Sequence, residues 1–205
     1  MTETVWIVRH GQRRDTVDPA FHTYADRIHD PDLTELGRWQ AWRCGRYFAD
    51  RNVEFDAVYA SPFLRTVQTA DEICRETGHV FRLEPGLGEH RNAEWFDSEP
   101  ETAPSESLAE WFETLRLDHD PCVIPEFPED HREAETRAGE AARQLADAHE
   151  GTVLMIGHGL TVGGVVRGLV GSTEGVDAPL CGLTRIDSQN AAWELAFSGF
   201  VDHLE

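Results

Sequence analysis

His10 stands between Arg9 and Gly11, and Arg13 and Arg14 follow directly after Gln12. A histidine set among guanidinium groups suggests a nucleophile in an anion pocket, because clustered cations repel one another unless an anion is the intended occupant. The neighbouring arginines are also expected to lower the imidazole pKa, keeping a neutral, nucleophilic ring available near pH 7. Gly11 is expected to let the chain turn sharply and approach a ligand closely. Three further positions draw notice. Arg65 follows Ser61-Pro62, where serine can cap a helix and proline can take its first position. Helix N-termini favour anions. His158 is bracketed by Gly157 and Gly159, which suggests close approach by another group. Glu89 lies just past Glu84-Pro85-Gly86-Leu87-Gly88; alone it reads as one solvated acid among many.

The elements that must position these residues alternate along the chain. Residues 3–9 read as a first strand, and 12–33 as a long loop broken by Asp18-Pro19 and Asp30-Pro31. Thr34 can cap a helix to about Asp50, with Leu36, Cys44, Tyr47 and Phe48 on one side. Residues 55–60 form a second strand, and a helix then runs from Ser61 to Gly78, a suitable left-handed end. Residues 79–83 look like a third strand. A helix over 130–148 precedes the most apolar strand, 152–156, which is expected to be central. A helix after His158 runs toward Val170, and a hairpin around 187–190 closes the sheet edge. This alternation predicts an α/β fold, a three-layer sandwich whose mostly parallel central sheet carries helices on both faces. Ligands then bind beyond the carboxyl ends of the strands, where His10, Ser61 and His158 each follow a strand.

At 205 residues the chain is long enough for one domain, 1–205, with a core of its own. Residues 85–130 hold six of the ten prolines and one clear amphipathic piece, 106–117, so they read as a lid-like insertion. Acids outnumber bases 38 to 18, for a net charge of −20, and lysine is absent. That balance disfavours nucleic acid and anionic membranes, which require a basic stripe. Its spread over every segment favours solubility in concentrated salt, as in a halophile, over a local partner patch. The four cysteines form no C-x-x-C pair, and no hydrophobic leader or spanning segment is evident. A reduced cytoplasmic protein, monomer or homodimer, is the expectation.

Taken together, the motifs resemble the histidine phosphatase superfamily, the phosphoglycerate mutase-like fold. They are Arg9-His10-Gly11, Asp32-Leu33-Thr34 with Gly37 and Gln40-Ala41, Ser61-Pro62 with Arg65 and Thr69-Ala70, Leu87 with Glu89, and Gly157-His158-Gly159. They occur in the family's order over nearly the whole chain. The resemblance implies that His10 accepts the phosphoryl group, forming a phosphohistidine that water hydrolyses. It implies that Arg9, Arg65 and His158 clamp the phosphoryl oxygens, and that Glu89 protonates the leaving oxygen and then helps activate water. No metal and no cofactor is implied, since arginines supply the charge. Mutases of this fold usually carry a serine where Arg13 stands and a tyrosine with paired arginines after the acid. Here His90-Arg91-Asn92-Ala93-Glu94-Trp95 follows Glu89. The Arg-His-Gly-Gln-Arg start is more similar to the phosphatase domains of the ubiquitin-associated, SH3-containing tyrosine phosphatases, where the extra arginine also contacts phosphate. Arg13 therefore joins the expected site, and Arg14 has no assignment. The implied activity is metal-independent hydrolysis of a small phosphorylated substrate or a phosphoprotein. A cofactor-dependent phosphoglycerate mutase is the alternative, and a non-catalytic phosphate-binding module a weaker one. A zinc hydrolase is disfavoured by the lack of H-x-H or H-E-x-x-H spacing.

Overall fold

The computed structural model describes residues 2–190 and 192–205; Met1 and Ala191 lie outside the described residues. Strand β1 (Thr2–Arg9) leads through a 3-10 turn and a short helix α1 (Phe21–Tyr24) to α2 (Glu35–Asp50). Next come β2 (Ala57–Ala60), α3 (Leu64–Thr77), β3 (Phe81–Leu83), α4 (Ser105–Trp111) and β4 (Leu115–Arg116). The chain continues with α5 (His131–Ala148), β5 (Gly151–Gly157), α6 (Gly159–Val170) and the hairpin β6 (Leu183–Gln189) and β7 (Ala192–Phe200).

All seven strands form one sheet in the order β4-β3-β2-β5-β1-β6-β7. The first five in that order are parallel, and β6 and β7 add antiparallel strands beyond β1. β5 is central, as its apolar run demands, because both its faces are covered. Alternation along β1 divides its side chains between two cores. Trp6 and Val8 pack with Ala41, Phe48 and Val67 of α2 and α3. Val5 and Ile7 pack with Ala141, Leu145, Val162 and Val165 of α5 and α6. This is the expected three-layer α/β sandwich.

Several local expectations need correction. α3 begins at Leu64, with Phe63 as its N-cap, not at Ser61. Its first turn is capped from outside the segment: the Leu64 N–H donates to Asp30 Oδ1 at 2.6 Å. The amphipathic piece at 106–117 divides into α4 and the two-residue β4, which pairs with β3. Leu108, Phe112 and Leu115 from it are buried in the α3-side core. Leu36, expected on the inner side of α2, is 48% exposed; the buried face runs through Gly37, Ala41, Cys44, Gly45 and Phe48. Thr34 caps α2 as expected, accepting from the Gly37 N–H at 2.9 Å. Among the described residues, no helix is long and apolar enough to cross a membrane.

Candidate active site

Parallel pairing places the carboxyl ends of β1, β2, β3 and β5 on one rim. The register sets Arg9 beside Gly157 and Ala60 beside Ile156. The next residues along are His10, His158 and Ser61. His10 N–H donates to Gly157 O at 3.0 Å, and Ser61 N–H to Ile156 O at 3.0 Å. Three neighbouring strands thus deliver three polar residues to one place.

His10 is 2% exposed. Its Nδ1 lies 2.8 Å from the Gly11 carbonyl oxygen. A carbonyl can only accept, so Nδ1 carries the proton and Nε2 keeps its lone pair. Burial first, and the Arg65 guanidinium and His158 after it, hold this imidazole well below 6.5. The ring is neutral, as expected, but burial outranks charge, and Arg65 is the cation that matters more than the adjacent arginines. Gly11 has a different role from the expected one. A Cβ there would lie 2.4 Å from Gly37 O, so the missing side chain admits the start of α2 rather than a ligand.

Arg65 is 1% exposed. Its guanidinium carbon sits 4.5 Å from the centre of the Phe63 ring, and Nη2 lies 3.5 Å from Glu89 Oε2. Its Nε and Nη1 are buried with no hydrogen-bond partner among the described residues, and Arg9 Nε and His158 Nδ1 share that condition. Leaving buried polar atoms unpaired is costly, most of all on a guanidinium, so this arrangement favours an anion at the centre of the group. Arg9 donates from Nη1 to Ala178 O at 2.6 Å, fixing the guanidinium over Gly159.

Glu89 is held by its backbone. Arg137 of α5 donates to Gly86 O at 2.8 Å, Gly88 O at 3.2 Å and Glu89 O at 3.2 Å. Glu129 holds Arg137 in turn, Oε2 accepting from Nε at 2.8 Å. Thr161 Oγ1 links the same turn to the His158 loop, donating to Leu87 O at 3.0 Å and accepting from His158 N–H at 3.0 Å. Burial alone would raise the Glu89 carboxyl, but His158, Arg65 and His10 outweigh it and hold the group well below 4.5. His158 places Nε2 2.9 Å from Ser61 Oγ. Its Nδ1 lies 3.3 Å from Glu89 Oε2, outside good hydrogen-bond geometry.

Burial, opposed by Glu89, lowers the His158 pKa from 6.5 to about 4. The unfolded chain therefore binds a proton at this residue between those two values, and the folded chain does not. Stability contributed here is intact above pH 6.5 and falls as pH drops toward 4, by roughly 3 kcal/mol in all. Denaturant midpoints measured across that window are expected to decline with acid, and His158→Gln is expected to flatten the slope. An unchanged slope in the variant would count against this account.

The structure brings Arg9, Arg13, Arg65 and Glu89 to the wall of one cleft of about 680 Å³. His10 and His158 lie buried against them, their rings 5.3 Å apart. Arg13 reaches the cleft paired with Asp15, Nη2 to Oδ2 at 3.1 Å. Arg14 is turned away in a two-point pair with Asp32, at 2.7 Å for each bond. Four contributors escaped the sequence reading: Asp15, Asp30, Arg137 and Thr161. Only Arg137 carried a signal, as a charged residue within the Ala-rich buried stripe of α5. Ligand atoms of His10, Glu89 and His158 lie within 4.8 Å of one another, close enough to hold a metal ion. The buried Arg65 guanidinium beside Glu89 opposes a cation there and favours an anion.

Fold and site define an α/β protein of the phosphoglycerate mutase-like class with an arginine-lined pocket beyond its parallel strands. The chain belongs to the histidine phosphatase superfamily (branch 1), whose family model matches residues 5–199. It is 28% identical over 186 residues to ecdysteroid-phosphate phosphatase of Drosophila melanogaster, covering 82% of this chain and 24% of the relative. It is 29% identical over 210 residues to human ubiquitin-associated and SH3 domain-containing protein A, covering 82% of this chain and 31% of that protein. The chain thus spans about a quarter to a third of the length of these curated relatives. The crystal structure of the Bombyx mori ecdysone phosphate phosphatase in complex with tungstate superposes with a TM-score of 0.82. The two are 21% identical, covering 97% of this chain and 93% of that one.

Proposed function

We propose that the protein hydrolyses phosphomonoesters through a phosphohistidine on His10. The observation that carries this reading is Arg65, buried beside His10 with Nε and Nη1 unpartnered among the described residues. Arg9, Arg13, Arg65 and His158 bind the phosphoryl oxygens. The Nε2 lone pair of His10 forms the N–P bond as the ester P–O bond breaks. Glu89 is a carboxylate in the free site. A substrate entering as the monoanion supplies the proton that Glu89 relays to the leaving oxygen. Water then forms a new P–O bond, the N–P electron pair returns to Nε2, and Glu89 takes the water's proton. Positioning and fixed positive charge suffice for such a transfer.

A phosphatase is favoured over a mutase by Arg91, which stands in the stretch where mutases carry arginines for the substrate carboxylate. Here Arg91 is buried, pairs with Glu99 and does not line the cleft. Turnover of p-nitrophenyl phosphate is expected to survive strong chelators at full rate; loss restored by zinc or magnesium would overturn the metal-independent reading. Efficient flux from 3-phosphoglycerate with a bisphosphoglycerate primer would overturn the preference for hydrolysis. The natural substrate is read as a small phosphomonoester or a phosphoprotein. The four free cysteines support a reducing cytoplasm, and the −20 charge without lysine supports a salt-rich one. The protein is read as a monomer or homodimer.

A further inference from the structure

A phosphoryl group fills only a small part of the roughly 680 Å³ cleft, so the rest receives whatever the phosphate is attached to. The charge available for that second part is limited. Arg9, Arg13 and Arg65 are the only arginines among the described lining residues, and the chain has no lysine. Arg9 and Arg65 carry the unpartnered buried donors assigned above to the phosphoryl group. Arg13 is already paired with Asp15. The remaining lining acid, Glu135, is paired with Arg167 at 3.0 Å. A carboxylate or second phosphate on the substrate would find no free guanidinium there.

The imidazoles of His22, His29, His90 and His131, the rings of Trp95 and Phe96, and the aliphatic Ile28 and Leu160 line what is left. Ile28 and Trp95 are 40% and 59% exposed, and both face the cleft. Phe96 lies beside them, its ring 4.8 Å from that of His29. His90 meets the Trp95 indole edge-on at 5.4 Å, holding it at the cleft despite its exposure. Large apolar side chains left in water beside a polar pocket are stabilised by a ligand that covers them.

We infer that the cleft takes the phosphomonoester of an uncharged, ring-bearing apolar alcohol, with Trp95 and Ile28 as the surfaces its rings cover. Trp95 is the specificity-determining residue. This rests on the phosphomonoesterase reading above. Uniform contact of this kind acts on the ground and transition states alike, so its signature is in KM rather than kcat.

Naphthylmethyl phosphate, butyl phosphate and 3-phosphoglycerate are all esters of primary alcohols, so they compare leaving-group shape and charge. For the wild-type chain kcat/KM is expected to fall at least about tenfold at each step in that order. Trp95→Ala is expected to bring the naphthylmethyl-to-butyl ratio within about threefold through KM, and Trp95→Phe to keep most of it. An unchanged thermal midpoint in both variants confirms that folding is intact, as the exposure of Trp95 leads one to expect. A wild-type ratio near one, a ratio unaltered in Trp95→Ala, or 3-phosphoglycerate as the best substrate would overturn the inference. Turnover of p-nitrophenyl phosphate alongside any of these results would leave the phosphatase reading standing. Failure of every ester, with no phosphoenzyme formed, would remove both.

Discussion

His10→Ala is expected to lower phosphatase turnover by at least about 10⁴-fold while leaving anion binding in place. The two effects separate because different groups produce them. His10 supplies the Nε2 lone pair, fixed by the Nδ1 contact to Gly11 O at 2.8 Å. Arg65, Arg9 and His158 supply the buried donors, and these remain in the variant. Phosphate or tungstate is therefore expected to raise the thermal midpoint of the variant and of the wild type alike. Labelled substrate, quenched rapidly, is expected to leave an acid-labile, alkali-stable phosphoenzyme in the wild type and none in the variant. Turnover near the wild-type rate, or label on serine or aspartate, would reject the mechanism.

The parts of the site visible in the sequence are those carried by strand ends. β1 and β5 are apolar runs that stop at Arg9-His10-Gly11 and Gly157-His158-Gly159. A parallel sheet forces such ends together, so pattern and topology agree. What escaped the sequence depends on contacts between distant segments. The start of α3 moved from Ser61 to Leu64 because Asp30, 34 positions earlier, supplies the cap. Ser61 is then free to meet His158 Nε2 at 2.9 Å. β4 has two residues and exists only because β3 offers it an edge, so no local period could announce it. Gly11 read as a place for ligand, whereas its neighbour is Gly37 in another element. Arg14 had no assignment from the sequence, and Asp32, 18 positions on, claims it. Charge taught a similar lesson. Proximity along the chain made the flanking arginines look dominant over His10, but burial and Arg65 dominate in three dimensions.

Glu89→Gln carries the other large effect, and its size is expected to depend on the leaving group. Glutamine keeps the shape of the side chain and cannot relay a proton. Alkyl phosphates release a strongly basic oxygen that must be protonated as the P–O bond breaks, so their hydrolysis is expected to slow about 10²–10⁴-fold. p-Nitrophenyl phosphate releases a stable phenolate, and its first step is expected to lose far less. Dephosphorylation is common to both substrates and uses Glu89 as a base toward water. With p-nitrophenyl phosphate the variant is therefore expected to show a burst of product and an accumulated phosphohistidine. The lowered pKa of Glu89 makes this role as base readily available, since the free carboxylate is ionised throughout the neutral range. The acid role requires a proton brought in by the substrate, because Arg65 and His158 oppose its retention in the free site. An equal loss for both substrates, with no burst, would show that Glu89 acts through the position of Arg65 rather than through proton transfer.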